Sequence, residues 1–332
     1  MIRRQTQISV EIENGDARSI EADVLALKYA QAFYGADAAV ARRLFDEESD
    51  TASLLPELFG FRLLPTNNKV AAKSVLFIGV SKLYEFGYQE IRDFSRKVLD
   101  SLAIAAPKTQ HVCLTLHGPG YGLDEMEAFE SEIAGLLDAI KSGNYPEHLQ
   151  KITIVERSVS RANRLLHKLN SLIPDGLIEI GQDGQVKQLG SKTQERLENA
   201  GYASETKNHV FVAMPFAEEM DDVFHYGIQG AVNAAGLLCE RADLSSFTGD
   251  VMEWVKKRIA SAHLVIADLS AANPNVYLEV GYAWGCGRPT VLICRDESEL
   301  KFDVKGQRCL IYKKIKELEA TLKTELENLK GN

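Results

Sequence analysis

The sequence predicts an α/β protein built from two three-layer domains. Three observations carry this. Short apolar runs alternate with stretches at helical spacing along most of the chain, the pattern of helices covering both faces of a mostly parallel sheet. The alternation breaks once, in a polar, glycine-containing stretch at residues 174–207. A chain of 332 residues is also long for one core, so domains over 1–173 and 208–332 are the natural division.

In the first half, QISVEIENGD (7–16) reads as a strand and turn, and ADVLALKYA (22–30) as a second, more buried strand. Residues 36–47 have helical composition, and SVLFIGV (74–80) is an uncharged strand. Residues 88–106 place Ile91, Phe94, Val98, Leu99 and Leu102 on one helical face. HVCLTLHG (111–118) is another buried strand. The helix over 124–143 starts with acids and stops at Gly143, as the macrodipole and C-cap preferences favour. KITIVER (151–157) and RANRLLHKLNSLI (161–173) give a further strand and a closing helix. Residues 174–207 read as a linker with a hairpin of its own, turning at Asp183-Gly184.

The second half restarts with the strand HVFVAMPF (209–216), which ends in a Met-Pro-Phe turn. A helix (221–236), a short strand LLCERAD (237–243) and a helix with Val251, Trp254, Val255 and Ile259 on one face follow. Then come the strand–loop–helix–strand stretch 263–293, a last strand RCLIYK (308–313) and a charged helix (315–330). Five strands with interleaved helices fit a small flavodoxin-like or TIR-like sheet.

Composition narrows the function. Hydrophobic content of 45% is ordinary for a globular chain. The net charge of −9 argues against non-specific binding to nucleic acid or anionic membrane, but not against small anions held by backbone amides. No apolar run reaches the roughly 18 residues of a membrane span. The N-terminus enters a strand pattern without the apolar core of a signal peptide, so a cytoplasmic protein is expected. The five cysteines form no CxxC pair and the seven histidines no HExxH, so no metal and no cofactor is expected.

The most informative stretch is 263–293. An apolar strand ends at an acid, Asp268; a turn-rich loop follows; a helix then carries Glu279 one turn inside it. Ligands bind at the carboxyl edge of parallel strands, so the two carboxylates can share one pocket there. A carboxylate can attack an anomeric carbon, and negative charge stabilises an oxocarbenium-like transition state. Asp268 would then bind a sugar hydroxyl or handle a proton. Asn273 and Asn275 add donors and acceptors, and Pro274 can start the helix. On spacing alone, a strand-end cap at Asp268 and a helix-dipole acid at Glu279 explain the same residues.

The set FVAMPF, RAD, ADLS…NPNV, LEVGYA and GRP over about residues 208–300 resembles the nucleoside 2-deoxyribosyltransferase-like and TIR-like family. The resemblance implies a nucleophile at Glu279 and a positioning acid at Asp268. It implies a pocket lined by Met214, Pro215, Phe216, Arg241, Asp243 and Asn275, with Arg241 placed for a phosphate. Asn275-Val276-Tyr277-Leu278 replaces the approach to the glutamate common in the transferases, which leaves transfer, hydrolysis and binding alone all open.

In the first half, TLHGPGYGLDEMEAFE (115–130) runs from a strand through Gly118, Gly120 and Gly122 into a helix. Such a turn lets amides approach a pyrophosphate, though a plain tight turn also uses glycine. NGDARSIEADVLAL (14–27) and the order of elements to residue 171 resemble macro domains, which bind ADP-ribose. That resemblance places Asp16 at an adenine, His117 to Gly122 at a diphosphate and Tyr121 beside the distal ribose. Lys28-Tyr29-Ala30-Gln31 stands where the family's asparagine motif lies, so hydrolase activity is not expected of this half. Together the halves imply a nucleotide-processing protein that cleaves or transfers an N-glycosidic bond, NAD being one candidate substrate. The alternative is a non-catalytic nucleotide sensor that oligomerises on ligand binding. The expected partners are a nucleotide or ADP-ribose-like molecule and further copies of the chain, without nucleic acid or membrane. Family analogy suggests a bacterial defence role.

Overall fold

The computed structural model describes residues 7–45, 54–82, 85–119, 123–181, 186–187, 189–202, 207–241 and 251–330. The chain divides into two compact units, Met1–Ser204 and Glu205–Asn332.

The first unit contains β1 (Gln7–Asn14), β2 (Val24–Tyr29), α1 (Gly35–Leu44), β3 (Phe61–Pro65), β4 (Ser74–Gly79), α2 (Tyr88–Ala105), β5 (His111–Thr115), α3 (Glu125–Lys141), β6 (Lys151–Glu156), α4 (Val159–Leu172), β7 (Leu177–Glu179) and α5 (Ser191–Asn199). The seven strands order as β3-β4-β2-β5-β6-β1-β7. The inner pairings are parallel, and the two edge strands β3 and β7 run antiparallel. The sheet is therefore mixed, with a parallel centre. β2 shows how the sequence dictates this. Val24 and Ala26 enter one core cluster while Leu25 and Leu27 enter the other, so an apolar run without polar alternation becomes a strand covered on both faces.

Helices α2 and α3 approach closely. A Cβ at Gly135 would stand 2.0 Å from the Arg92 carbonyl oxygen, so only glycine permits the contact. Arg92 is buried there and ties α5 to the unit. Its Nε and Nη2 donate to both Asp138 carboxylate oxygens, at 2.7 and 3.0 Å. Its Nη1 donates to the carbonyls of Leu197, Glu198 and Ala200, which end α5, and Tyr202 stacks on the guanidinium at 4.3 Å. Within the stretch read as linker, β7 joins the first unit's sheet and Arg92 fastens the end of α5. The Asp183-Gly184 turn lies outside the described residues, although Ile180 and Val186 do bridge in antiparallel fashion.

The second unit contains β8 (His209–Ala213), α6 (Glu218–Asp222), a π-helical segment (Val223–Gln229), α7 (Gly230–Ala234), β9 (Leu238–Arg241), α8 (Val251–Ser261), β10 (Leu264–Asp268), α9 (Pro274–Gly285), β11 (Thr290–Cys294), β12 (Cys309–Ile311) and α10 (Ile315–Lys330). The sheet order is β12-β11-β10-β8-β9, and every pairing is parallel. Counted within the unit this is the flavodoxin-like order 2-1-3-4-5. Val210, Val212 and Ile266 face a cluster with Leu318, Leu322 and Leu326 of α10, which recur every fourth residue. Phe211, Ala213, Val265 and Ala267 face the other way, onto Val255 and Ile259 of α8 and Val276 and Val280 of α9.

Candidate functional site

In a sheet of this order the crevice opens where neighbouring strands send their connections to opposite faces. That switch point lies between β8 and β10. Its rim consists of the segments leaving those strands, Met214–Ala217 and Leu269–Asn273, with Arg241 at the end of β9 and Tyr312 just past β12.

Asp268 closes β10 and is 0% exposed. Its Oδ1 accepts from the Ser270 amide at 3.0 Å and its Oδ2 from the Tyr312 hydroxyl at 2.7 Å. Burial pushes its carboxyl up, while the Ser270 and Tyr312 hydrogen bonds pull it down. Both oxygens are thus engaged inside the unit, where they join the exits of β10 and β12. Tyr312→Phe removes one of these bonds and leaves a buried oxygen unmet. We expect a loss of about 1–3 kcal/mol of stability in urea melts, and an unchanged midpoint would show that the bond is not formed.

The loop after Asp268 is unusual. Ala271 and Ala272 both sit in the left-handed region, at φ 58° and 47°. Neighbours hold it: the Ala271 amide donates to Glu299 Oε2 at 2.8 Å, the Ala272 amide to the Leu269 carbonyl, and Ser270 Oγ accepts from the Arg295 amide at 3.0 Å. The loop ends at Asn273, whose side chain accepts from the Asn275 amide and caps α9, with Pro274 as first helical residue.

Glu279 lies five residues into α9, roughly 8 Å along the axis from Pro274. It flanks the buried stripe of Val276, Val280 and Ala283 and is itself half-buried. Among the described residues no cation or donor pairs with it. Burial alone pushes its carboxyl up to about 7, so it titrates near neutrality. A first-turn dipole acid would be exposed and inside the first turn, and Glu279 is neither.

The remaining expected residues fall into three groups. Met214 is 2% exposed and belongs to the core, Pro215 is buried, and Phe216 is 51% exposed. Arg241 is largely enclosed. Its Nη1 bonds Asp221 at 3.0 Å, and its guanidinium lies 4.4 Å from the Phe224 ring centre and 5.8 Å from that of Phe216. Asn275 is exposed at the start of α9. Asp243 lies outside the described residues.

At the carboxyl edge of the first sheet, Asp16 is held by Arg18 in a two-pronged pair, Nε to Oδ1 at 2.9 Å and Nη2 to Oδ2 at 2.6 Å. The Arg18 hydrogen bond pulls its carboxyl down to about 2. His117 follows β5 and is 5% exposed. Burial, then the Lys28 charge, holds its ring well below the usual histidine range, so it is neutral. Gly118 turns the chain at φ 105°, and a Cβ there would meet Leu123 Cδ1 at 2.8 Å. Gly120, Tyr121 and Gly122 lie outside the described residues. A groove of about 420 Å³ opens at the opposite, amino-terminal edge of this sheet, lined by Asp23, Val24, Leu63, Lys73 and Lys108 among others. None of the expected site residues reaches it.

No family model matches the chain, and neither does any curated protein. Solved structures do resemble about half of it. One is a Trypanosoma brucei macrodomain in complex with ADP-ribose, at 12% identity over 48% of this chain and 68% of that one, with a TM-score of 0.39. Another is an Oceanobacillus iheyensis macrodomain with ADP, at 13% identity over 49% of this chain and 91% of that one, with a TM-score of 0.40. The same macrodomain with MES bound gives 12% identity over 49% and 92%, with a TM-score of 0.40.

Two groups at the strand ends escaped the sequence reading. Tyr312 reaches Asp268 across 44 residues of chain, and nothing local signals such a bond. Lys28 pairs with Asp37, and here a signal exists: a lysine inside the apolar strand VLALKY needs a buried partner. Among the described residues no group of three His, Cys, Asp or Glu side chains is placed to hold a metal ion, and no helix is long and apolar enough to cross a membrane.

Proposed function

We propose that this chain processes a nucleotide. The second unit cleaves an N-glycosidic bond with Glu279 as nucleophile, and the first unit recognises an ADP-ribose-like ligand. The observation that carries the reading is Glu279 itself: a half-buried carboxylate without a partner among the described residues, pushed up to about 7 by burial, on the helix that leaves the switch point of a flavodoxin-like sheet. In its ionised form an oxygen of Glu279 attacks the anomeric carbon as the bond to the base breaks, and the bonding pair leaves with the base. Negative charge in a poorly solvated site favours the oxocarbenium-like transition state. Water or a second base then releases the sugar.

The enclosure of Asp268 sharpens the substrate class. Its oxygens already serve Ser270 and Tyr312, so it supplies no ready proton to a leaving group. A purine needs such a proton to depart easily, whereas the pyridinium of NAD leaves as neutral nicotinamide without one. NAD is therefore the favoured substrate. The test is a glycohydrolase assay over NAD, nucleotides and nucleosides with Glu279→Gln beside the parent. A variant that matches the parent on every substrate cleaved sinks the assignment.

The same enclosure favours a second reading, a nucleotide sensor without catalysis, because it leaves one free carboxylate where two were expected. That reading requires ligand binding in calorimetry with no turnover, together with growth of particle mass in light scattering when ligand is added.

A further inference from the structure

We propose that a second copy of this chain docks on the outer face of α9 and on Phe302 beside it, across a two-fold axis. Glu279 lies about 100° round the helix from Leu278, so this surface is separate from the catalytic reading.

Phe302 is 90% exposed, more than any other large apolar side chain among the described residues. Its segment is anchored on both sides. Leu300 and Val304 are buried in the same core cluster as Val276 and Val280, and the Lys301 amide donates to the Tyr277 hydroxyl at 3.1 Å. The phenyl ring is thus held out into solvent beside the first turn of α9.

The helix continues that surface. The exposed positions of α9 are Pro274, Asn275, Leu278, Gly281, Trp284 and Gly285, and none is charged. Leu278 is 58% and Trp284 40% exposed, and a Cβ at Gly281 or Gly285 meets nothing within 4 Å. Helix α10, by contrast, exposes Lys316, Glu317, Glu319 and Lys323, as a solvated helix does. Depletion of charge together with exposed aromatic and aliphatic side chains is the make-up of an interface core.

Charge selects the occupant. Lys301 and Asp303 flank Phe302, both are exposed, and among the described residues neither has an ion-pair partner. In a two-fold interface one patch meets itself, so that residue i of each copy meets residue j of the other. Set antiparallel across such an axis, Lys301 of each copy faces Asp303 of the other, with Phe302 on the axis. Helix α9 of each copy then lies alongside, and its glycines leave room for close approach. The patch has no net charge, so nothing in it draws a nucleic acid or an anionic surface.

The experiment is sedimentation velocity on the full chain. The parent should be dimeric across the micromolar range. Lys301→Asp or Asp303→Lys alone sets like charges against each other on both sides of the axis, and each should weaken the dimer roughly tenfold or more. The double variant exchanges the two charges and should restore it, which only two-fold contact of this segment produces. Gly281→Glu should also weaken the dimer, and circular dichroism confirms that the variant folds. A parent that stays monomeric across the range overturns the dimer surface. So does a dimer that both single variants leave untouched, or a double variant as weak as the singles; the copies then meet elsewhere, or the face serves a different protein.

Discussion

Glu279→Gln is expected to lower kcat/KM for glycosidic cleavage by about a thousandfold or more, the scale seen when a covalent nucleophile is removed. Glutamine keeps the shape and the position beside Val276, Val280 and Ala283, so the loss should fall on kcat and leave KM nearly unchanged. The pH profile adds a second signature. Burial lifts the parent's carboxyl to about 7, and only the ionised form attacks. Activity should therefore rise with pH and level off above about 7. A plateau already reached at pH 5 would show that the ionising group is some other, ordinary carboxylate. Stability moves the opposite way. The folded value lies above the unfolded one, so the stability linked to this group is complete below about 4.5 and is lost as pH rises through about 7.

The second large effect lies in the interior of the first unit. Glu132 on α3 is 0% exposed, and neither carboxylate oxygen has a partner among the described residues. Burial lifts its carboxyl to about 8, so the acid is neutral in the folded protein at neutral pH. The unfolded chain ionises it near 4.5. Its linked stability is therefore complete below about 4.5 and is lost as pH rises through about 8. Glu132→Gln is expected to match the parent at pH 4 and to exceed it by about 3–5 kcal/mol at pH 8.5. Thermal melts of both proteins across that range decide the matter, and parallel curves would mean that Glu132 finds a partner in solution.

The fold was largely legible because apolar periodicity is a local property. VLALKY, SVLFIG and LVIAD became central strands since each run fills both faces of a sheet. The edges were harder. Residues 178–180 read as one arm of a hairpin inside the linker; that the strand 177–179 would pair with β1, more than 160 residues away, is a contact no local pattern contains. The site was legible in part for the same reason. The positions of Asp268 and Glu279 on their elements follow from spacing. That one would be sealed by Tyr312 and the other left half-buried, with no partner among the described residues, follows from tertiary contacts that no window of sequence contains. Arg241 shows the same divide. Its strand-end position could be read, but not the partnership with Asp221 and Phe224.

The paired left-handed alanines after Asp268 carry a mechanical implication. Glycine would take both conformations freely, whereas each alanine there is unfavourable by about 1–2 kcal/mol. The loop therefore owes its shape to the grip of Glu299, Leu269 and Arg295 and not to its own backbone preference. A ligand that drew Glu299 away would let the alanines relax toward ordinary helical or extended backbone. Asn273 and the start of α9 would move with them, and Glu279 rides on that helix. The strain of this rim is therefore balanced at Glu299, which holds the loop that leads into the helix carrying Glu279.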